Sequence, residues 1–406
     1  MHYILFIIHP AKGPLNSTFR LAALFQQRGG KVAYVVPDTL KDFICRQGFE
    51  AIVADIAGDP ESLLRISPLR NNHVRCAILD ADQLSAGILL YRYAFSKIVV
   101  NTTCLSDKAP GIPPFFSSII PSRSWYSRLR IALTWHIWFT KKWWRTRMGK
   151  LLHNYDPYHE ALAKKYNFPF RECMSFDRAW LIGFRNYPEF ILYPPELDFP
   201  RKVLPPDKYF TGPLIYHPTE DAPFDWSRIP ADKPLVYCAL GTLAHVYYPD
   251  YISFFRKLIA VFREQPDVSL LLSVGEHCRE EELGDIPDNV HVYTKVPQMQ
   301  ILPRCRMMIT HGGSNSIKEC IYHGVPMLIY PLGEMTDQHG NAARIVYHRL
   351  GVRANIRKSS SCSIKNDMAA VLMNKDIRKN ISGMRTVFHA YEQQSDILAD
   401  QMESFM

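Results

Sequence analysis

The amino-acid sequence predicts an α/β protein built on two parallel β-sheets. Apolar runs that suit buried strands alternate with helical patterns in residues 4–100, and the same alternation returns in residues 235–330. A stretch with many prolines, residues 194–234, separates the two series. The length of 406 residues exceeds what one hydrophobic core usually organises. We therefore expect two Rossmann-like halves.

The individual elements follow from the hydrophobic pattern. In the first half, strands are expected at residues 4–8, 32–36, near 52, 76–79 and 97–100, with a helix at 18–27. In the second half, strands are expected at residues 235–240, 269–273, 291–293, 307–309 and 327–330. The prolines of residues 194–234 exclude a long helix there and predict a linker. Helical periodicity returns at residues 381–405.

Composition narrows the protein class. The apolar run that begins at Tyr3 has no charged leader and no cleavage site, so it reads as a first buried strand rather than as a signal peptide. The nine cysteines are scattered without a CxxC pair, which predicts neither a disulfide framework nor a zinc site. These features favour a cytoplasmic protein.

The most informative stretch is residues 311–341, which follow the apolar run 307–309. Two glycines there let the backbone approach a ligand, and the helix that follows would offer unpaired N–H groups and a positive dipole end. That arrangement suits a phosphate. The candidate donors of hydrogen bonds are His311, Gly313, Ser314, Asn315 and Ser316. The simpler alternative is an ordinary strand, turn and helix with a histidine cap.

Acidic and amide side chains further along the same stretch suit a sugar. Glu319 follows Ser316 by about one helical turn, and its carboxylate could accept both hydroxyls of a ribose. Asp337 and Gln338 form a pair suited to sugar hydroxyls. Together with the glycine turn, these residues predict a binding site for the diphosphate and sugar of a nucleotide-sugar.

This segment closely resembles the donor-binding signature of the UDP-glycosyltransferase family, which includes natural-product, macrolide and carotenoid enzymes. The family's motifs occur here in the same order: His311 to Gly313, Ser316 and Glu319, Gly324 to Pro326, Asp337 and Gln338, and Asn341 and Ala342. Upstream, Leu240-Gly241-Thr242 resembles the family's glycine turn and Val296-Pro297-Gln298 its nucleobase motif. The resemblance implies that Thr242 and Gln298 also bind the donor.

The resemblance implies the GT-B fold, in which two Rossmann-like domains with parallel sheets face each other across a cleft. We expect an N-terminal acceptor-binding domain at 1–213, a donor domain at 214–380 and a C-terminal helix at 381–406 that crosses back to the N-terminal domain. Lys295 stands where many members carry an aromatic residue that stacks on uracil. A lysine cannot stack in that way, so UDP and dTDP both stay open as donors.

The catalytic residue of the family is replaced in this chain. Members usually carry a histidine base in a loop written Pro-Ala-x-Gly-His-x-Asn-Pro, and the corresponding run here places Pro14 at the histidine position. A proline side chain cannot accept a proton. Asp80 or Asp82 could match the aspartate that orients the histidine, or could simply cap a helix or form a turn. The catalytic residues are therefore unassigned by the sequence.

Three explanations for the missing histidine stay open. The acceptor could be a carboxylate or phosphate, which needs no base. Asp80, Asp82 or His9 could take the proton directly. The chain could also bind a sugar nucleotide without transferring it. Asp80 and Asp82 have the spacing of a metal motif but lie in the half that does not bind the donor, so we expect no metal site and no cofactor besides the sugar nucleotide.

A second distinctive segment is residues 123–150. It contains eight Lys or Arg residues, no acidic residue and five of the seven tryptophans. Clustered cations and tryptophans suit an anionic membrane surface, and the apolar core of residues 131–140 is too short to span a bilayer. The alternative is that the tryptophans line an acceptor pocket or pack within the domain. A nucleic-acid partner is not expected, because no nucleic-acid fold signature accompanies the segment.

These observations predict an inverting, metal-independent glycosyltransferase that moves a sugar from a nucleoside diphosphate to a hydrophobic small-molecule or lipid acceptor. The expected location is the cytoplasm, with peripheral contact to the inner face of the membrane through residues 123–150. The competing prediction is a catalytically silent GT-B protein that binds a nucleotide-sugar and assists an active transferase. A nucleotide-sugar epimerase on the same fold fits less well, because the Asp-Gln and Asn-Ala motifs belong to transferases.

Overall fold

The computed structural model describes residues 2–147, 157–179, 183–218 and 222–406. The chain forms two compact units, each with its own internal packing. Unit one contains Met1–Pro114, Pro121–Glu220 and Ala390–Met406, and unit two contains Phe115–Ile120 and Asp221–His389. The sequence-based division is close to these bounds but has no counterpart for the short segment Phe115–Ile120.

Unit one is built on a sheet in which all pairings are parallel. Its strands are β1 (Tyr3–Ile7), β2 (Lys31–Val36), β3 (Glu50–Val53), β4 (Val74–Asp80), β5 (Ser96–Asn101), β8 (Glu189–Ile191) and β9 (Lys208–Phe210), in the order β3-β2-β1-β4-β5-β8-β9. A separate antiparallel pair joins β6 (Met174–Ser175) to β7 (Gly183–Phe184). The five predicted strands of this half are confirmed. Strand β8 was not expected, and β9 extends the sheet into the region 194–234 that was expected to be a linker.

The helices of unit one alternate with its strands along the chain. They are α1 (Lys12–Gln27), α2 (Lys41–Arg46), α3 (Ser67–Arg70), α4 (Leu84–Leu90), α5 (Trp125–Arg147), α6 (Pro157–Lys165) and α7 (Phe170–Cys173). Helix α1 begins six residues before the predicted start at Thr18. Pro14 lies in its first turn, where the missing N–H would have no helical partner in any case, so the proline does not delay the helix.

Unit two repeats the architecture with a second all-parallel sheet. Its strands are β10 (Leu235–Ala239), β11 (Ser269–Ser273), β12 (Val290–Tyr293), β13 (Cys305–Thr310), β14 (Met327–Ile329) and β15 (Gly351–Arg353), in the order β12-β11-β10-β13-β14-β15. The five predicted strands are again confirmed, and β15 adds an edge strand. Both units therefore have the α/β organisation that the sequence predicts.

The helices of unit two and the C-terminus complete the chain. They are α8 (Ala244–Tyr247), α9 (Tyr251–Arg263), α10 (Gln298–Ile301), α11 (Ser314–His323), α12 (Gln338–Tyr347), α13 (Ser361–Leu372), α14 (Lys375–Gln393) and α15 (Ser395–Glu403). The helical pattern predicted at 381–405 is divided at Gln394 between α14 and α15. Arg28 of α1 forms ion pairs with Asp396 and Asp400 of α15, so the last helix packs within unit one.

The segment Phe115–Ile120 packs against unit two. A Cβ atom added to Gly340 of α12 would lie 1.5 Å from the carbonyl oxygen of Phe115, so only glycine permits this approach. Arg353 of β15 donates a hydrogen bond of 2.8 Å to the carbonyl of Ser118. The sequence offers no pattern that predicts this packing, because it depends on one backbone contact between distant residues.

Candidate functional sites at the two sheet switch points

In each unit the strand order reverses at one point of the sheet. In unit two the chain moves from β10 outward to β12 and then returns to the other side of β10 with β13. In unit one the reversal lies between β1 and β4. Open α/β sheets bind ligands beyond the carboxyl ends of the strands at this position. Both points carry residues that the sequence marks as functional.

At the switch point of unit two, the ring of His311 lies between two glycines. A Cβ atom added to Gly241, which follows β10, would lie 2.6 Å from Cε1 of His311. A Cβ atom added to Gly313 would lie 2.6 Å from Nε2 of the same ring. Gly241 also has φ +80°, a conformation that side-chain-bearing residues rarely adopt. The two glycine motifs of the sequence therefore serve one histidine.

Burial determines the protonation of His311. Desolvation lowers the pKa of its imidazole to about 4, so the ring is neutral at pH 7. Its Nδ1 atom is buried and finds no hydrogen-bond partner among the described residues. Buried polar atoms are nearly always paired, so an orphaned ring nitrogen in this position indicates that a ligand or solvent supplies the partner. His311 can thus offer a hydrogen bond but not a positive charge.

Helix α11 begins immediately after Gly313. Gly313 has extended dihedral angles (φ −64°, ψ 143°), and no side chain caps the helix start by a hydrogen bond. The first turn contains no acidic residue. The N–H groups of Ser314, Asn315 and Ser316 therefore lie at the positive end of the helix dipole. This environment favours an anion.

A chain of hydrogen bonds joins the residues predicted to bind the base and the ribose. Nε2 of Gln298 donates to Oε2 of Glu319 at 2.5 Å and to Oγ of Ser316 at 3.4 Å. The hydroxyl of Tyr237, on β10, donates to Oε1 of Gln298 at 3.2 Å. Burial raises the pKa of Glu319 to about 7, although the bond from Gln298 opposes this shift. The three predicted residues are thus in direct contact, and Tyr237 was missed because it reads as an ordinary strand residue.

Gln338 holds the loop that follows β14. Its Oε1 atom accepts hydrogen bonds from the N–H groups of Leu332 (2.7 Å) and Gly333 (3.1 Å), and the residue is buried. Only its amide nitrogen is left for a ligand. The sequence marks Gln338 as a sugar-binding residue, and the structure adds this second, structural role.

Asn341 connects Asp337 to the glycine turn. Its amide nitrogen donates to Oδ2 of Asp337 at 2.9 Å and to the carbonyl of Gly312 at 3.0 Å. Burial raises the pKa of Asp337, and the bond from Asn341 opposes the shift. Asn341 belongs to the Asn-Ala motif, but the motif does not indicate that this side chain positions both Asp337 and the glycine turn.

Two further residues that the sequence singles out lie at the surface of the same unit. Thr242 is exposed directly after Gly241 at the end of β10. Lys295 is also exposed, two residues after the end of β12. Lys318 is buried beside Glu319, and desolvation lowers the pKa of its ammonium group to about 8. The burial of Lys318 is not predictable from the sequence, because lysines on helices are usually solvated.

At the switch point of unit one, the carboxyl ends of β1 and β4 bring a histidine to a carboxylate. Nδ1 of His9 lies 2.6 Å from Oδ2 of Asp82, and their side chains are 48% and 26% exposed. The pKa of His9 is raised, chiefly by the hydrogen bond to Asp82. Asp80 is buried and accepts backbone hydrogen bonds from His9 and Asp82, both at 3.4 Å. Pro14 lies nearby in sequence in the first turn of α1.

Helix α5 carries an apolar stripe on its solvent side. Ile131 and Trp135 are buried, and Nε1 of Trp135 donates to the carbonyl of Ile112 at 2.7 Å. The large apolar residues at helical spacing on another face are 47–75% exposed: Trp125, Tyr126, Leu129, Leu133, Ile137 and Trp144. The alternative prediction, that the tryptophans pack within the domain, thus holds for part of the helix only. Residues 148–150 of the predicted segment lie outside the described residues.

The described residues contain neither a helix that could span a membrane nor a cluster of metal-ligating side chains. None of the helices within those residues has the length and apolar character required to cross a bilayer. Over the same part of the chain, no three His, Cys, Asp or Glu side chains come together in an arrangement that could hold a metal ion.

Comparison with known proteins identifies the family. The family model described as "UDP-glucoronosyl and UDP-glucosyl transferase" matches residues 148–393, more than half of the chain. Demethyllactenocin mycarosyltransferase of Streptomyces fradiae is 23% identical over 411 residues, which cover 95% of this chain and 82% of the relative. Zeaxanthin glucosyltransferase of Pantoea ananas is 31% identical over 194 residues, which cover 47% of this chain and 43% of the relative.

Solved structures show the same fold. The glycotransferase of kitacinnamycin superposes with a TM-score of 0.73 at 20% identity, covering 100% of this chain and 99% of that structure. The spinosyn rhamnosyltransferase complexed with thymidine diphosphate gives a TM-score of 0.65 at 15% identity, covering 98% of this chain and all of that structure (100%). The fold is therefore GT-B. By its match over residues 148–393, the chain belongs to the UDP-glucoronosyl and UDP-glucosyl transferase family, whose members are glycosyltransferases that use nucleotide-sugars.

Proposed function

We propose that this glycosyltransferase transfers a sugar, with inversion at the anomeric carbon, from a UDP- or dTDP-sugar to a hydrophobic small-molecule or lipid acceptor. The observation that carries the proposal is the arrangement of His311 between Gly241 and Gly313 at the start of α11. This arrangement offers neutral hydrogen-bond donors and a helix dipole to a diphosphate, and no acidic side chain of the first helical turn opposes it.

The same hydrogen-bond donors would also act in catalysis. When the bond between the sugar and the diphosphate breaks, negative charge grows on the diphosphate oxygens. Fixed N–H groups near Ser314 to Ser316 and the imidazole of His311 would stabilise that charge without reorganisation, which is why we propose a metal-independent transfer. Thr242, exposed beside Gly241, would add a hydroxyl to the same group of donors.

The remaining contacts with the sugar nucleotide are inferred from the chain of hydrogen bonds in unit two. We propose that Glu319 accepts the ribose hydroxyls, that Gln298 contacts the base, and that Asp337 and the amide nitrogen of Gln338 bind the sugar. Binding of ribose would compete with the existing bond between Gln298 and Glu319. Names of relatives support acceptors of the natural-product type: two are named for demethyllactenocin and zeaxanthin.

The proposal is tested with purified protein and a panel of UDP- and dTDP-sugars. Donor binding should raise the melting temperature in proportion to RT ln(1 + [L]/Kd). A donor that stabilises the protein is then offered with a set of hydrophobic alcohols and phenols, and the product's anomeric configuration is read by NMR. Retention of configuration would contradict inversion, and absence of stabilisation by any sugar nucleotide would contradict the donor assignment.

A second candidate function is a catalytically silent partner of an active transferase, and Pro14 at the position of the family's histidine favours it. Such a protein would bind the donor without consuming it. Incubation of the donor with the protein and the acceptor panel separates the two functions. Product formation supports transfer, whereas tight donor binding with neither transfer nor hydrolysis supports the silent role.

We also propose that the exposed stripe of α5 contacts an anionic membrane surface, on the inner face of the membrane, where a lipid acceptor would be available. The helix sequence contains six Lys or Arg residues and no Asp or Glu. Its exposed tryptophans and aliphatic residues suit the headgroup layer. Hydrophobic contact and charge attraction would therefore act through the same helix.

Vesicle sedimentation tests this contact. Wild-type protein should sediment with vesicles that contain phosphatidylglycerol, less with pure phosphatidylcholine, and less at high salt. Leu129, Leu133 and Ile137 changed together to serine should reduce binding. Ile397→Ser, which alters an exposed apolar residue of α15, is the matched control. Equal binding of the triple variant and the control would contradict the assignment.

A further inference from the structure

We infer that His9, oriented by Asp82, is the general base of this glycosyltransferase and takes the place of the family histidine that Pro14 replaces. The inference rests on the proposed transfer to a hydroxyl acceptor. It moves the base by five residues, from the first turn of α1 to the loop between β1 and α1. His9 lies outside the family's Pro-Ala-x-Gly-His-x-Asn-Pro loop motif, whereas Asp82 is one of the two candidates for the family's orienting aspartate.

The fold places the pair where an α/β sheet binds ligands. β1 and β4 are neighbours, and the chain order of the sheet reverses between them. His9 follows the carboxyl end of β1, and Asp82 follows the carboxyl end of β4. The geometry thus points to the same kind of position that holds His311 in unit two.

Several contacts fix the pair. The carbonyl of His9 accepts a hydrogen bond of 2.7 Å from the N–H of Ala11, and its own N–H donates to Asp80. Asp80 also accepts from the N–H of Asp82. The buried Asp80 therefore links the two loops, and its oxygens face backbone N–H groups. Asp80 is a positioning residue in this arrangement, whereas the imidazole of His9 is half exposed and accessible.

The hydrogen bond to Asp82 determines which nitrogen of His9 can act. Asp82 accepts from Nδ1–H, so in the neutral imidazole Nε2 carries the lone pair. The acceptor O–H gives its proton to Nε2, and its oxygen forms a bond to the anomeric carbon. The bond from that carbon to the diphosphate breaks, and the electron pair goes to the diphosphate oxygen. The carboxylate of Asp82 then stabilises the imidazolium, the role of an aspartate in a catalytic triad.

The pair also predicts how activity depends on pH. The titratable groups that face His9 are Asp82 and Asp80 from the end of β4, and both raise the pKa of His9, whereas burial raises the pKa of Asp80 itself. Lys12, the first residue of α1, is exposed. Activity should rise with pH as His9 loses its proton. Removal of the Asp82 charge should lower the pKa of His9 and move the acidic limb of the pH profile to lower pH.

Two acceptors that differ in acidity provide a sharp test. 4-Methylphenol needs a base at neutral pH, whereas 4-methylthiophenol is far more ionised. The donor is the sugar nucleotide that gives the largest thermal stabilisation. His9→Ala should lower kcat for the phenol by about 100-fold or more but lower kcat for the thiol less than about tenfold. Asp82→Asn should lower kcat for the phenol by about tenfold. His73→Ala, an exposed histidine of the same unit, is the control.

Calorimetry and NMR separate this role from a structural one. The affinity of the His9→Ala variant for UDP or dTDP should match that of the wild type, because these ligands are assigned to unit two. The NMR titration of His9 should give a lower pKa in Asp82→Asn than in the wild type. Equal loss of kcat with both acceptors, unchanged phenol transfer in His9→Ala, or an unchanged pKa of His9 would overturn the inference. A wild type that binds the donor and transfers to neither acceptor overturns the proposed function itself.

Discussion

The two sheets have the same kind of switch point but carry different chemistry there. In unit two the loops after β10 and β13 hold a partly buried, neutral histidine between two glycines at the start of a helix. In unit one the loops after β1 and β4 hold a half-exposed histidine in an ion pair with an aspartate. Under the proposed roles, one backbone arrangement would offer hydrogen-bond donors to an anion in unit two and a proton acceptor in unit one.

A difference in burial accounts for the different pKa shifts of the two histidines. Desolvation lowers the pKa of His311, whereas the bond to Asp82 raises that of His9. The ring of His311 packs closely against Gly241 and Gly313, and desolvation is the cause of its pKa shift. His9 has solvent access, so its partner can be charged at modest cost. Four predictions test this contrast, in order from the largest expected effect on stability to the smallest.

The enclosure of His311 should be the least tolerant part of the molecule. Gly241→Ala combines a positive φ with a Cβ atom 2.6 Å from the histidine ring, and should destabilise unit two by about 3 kcal/mol. Gly275→Ala is the matched control, because Gly275 has φ +81° and no atom within 4 Å of its added Cβ. It should cost about 1 kcal/mol. Chemical denaturation of both variants checks the difference, and equal losses would show that the ring contact is unimportant.

The loop after β14 should depend on Gln338. Gln338→Ala leaves two buried N–H groups without their acceptor and should cost about 2 kcal/mol. Gln338→Glu keeps an acceptor oxygen but removes the amide donor, so it should destabilise less than alanine while weakening sugar-nucleotide binding. Thermal denaturation with and without donor separates the two roles. A Gln338→Glu variant with wild-type donor affinity would exclude the amide nitrogen from the site.

Glu319 should make the stability of the unliganded protein fall with pH. Its pKa is about 7 in the fold and about 4.3 in an unfolded chain, so the fold binds the extra proton. The stabilisation is complete below about pH 4 and is lost as pH rises through 7. Between pH 5 and 7.5, below the pKa of Lys318, Glu319→Gln should remove about 1 kcal/mol of this dependence.

The same substitution tests the ligand role of Glu319. If the carboxylate accepts ribose hydroxyls, Glu319→Gln should weaken donor binding by about 1 to 3 kcal/mol in calorimetry, even where the protein becomes more stable. Such opposite effects on stability and binding are expected of a functional group that is poorly solvated. Identical pH dependence in variant and wild type would contradict the raised pKa of Glu319.

The ion pair of unit one should contribute least to stability. An exposed pair is usually worth less than about 1 kcal/mol, so Asp82→Asn should leave the melting temperature nearly unchanged. Its effect on the pH dependence of transfer should still be large. A loss of several degrees in melting temperature would place Asp82 among the structural residues and remove the contrast between the two switch points.

Particular residues show how far the sequence alone reaches. The ten expected strands all form, because buried parallel strands are continuous apolar runs that need no tertiary information to recognise. The three-residue strands β8 and β9 were not expected, because segments of that length among prolines form strands only by pairing with a neighbour. Helix α1 was expected to begin too late, because Gly13 and Pro14 resemble a loop.

The sequence by itself determined the two sheets and the family, and it predicted the set of donor-binding residues from His311 to Gln338, because strand periodicity and motif spacing are local properties of the chain. Only the tertiary structure decided that Gly241 and Gly313 enclose one histidine, that Gln338 holds a loop, and that His9 meets Asp82. These contacts join residues far apart in sequence, and the pKa of each histidine depends on them. Local patterns carry no information on such distances or on burial, which follow from the order of strands in each sheet.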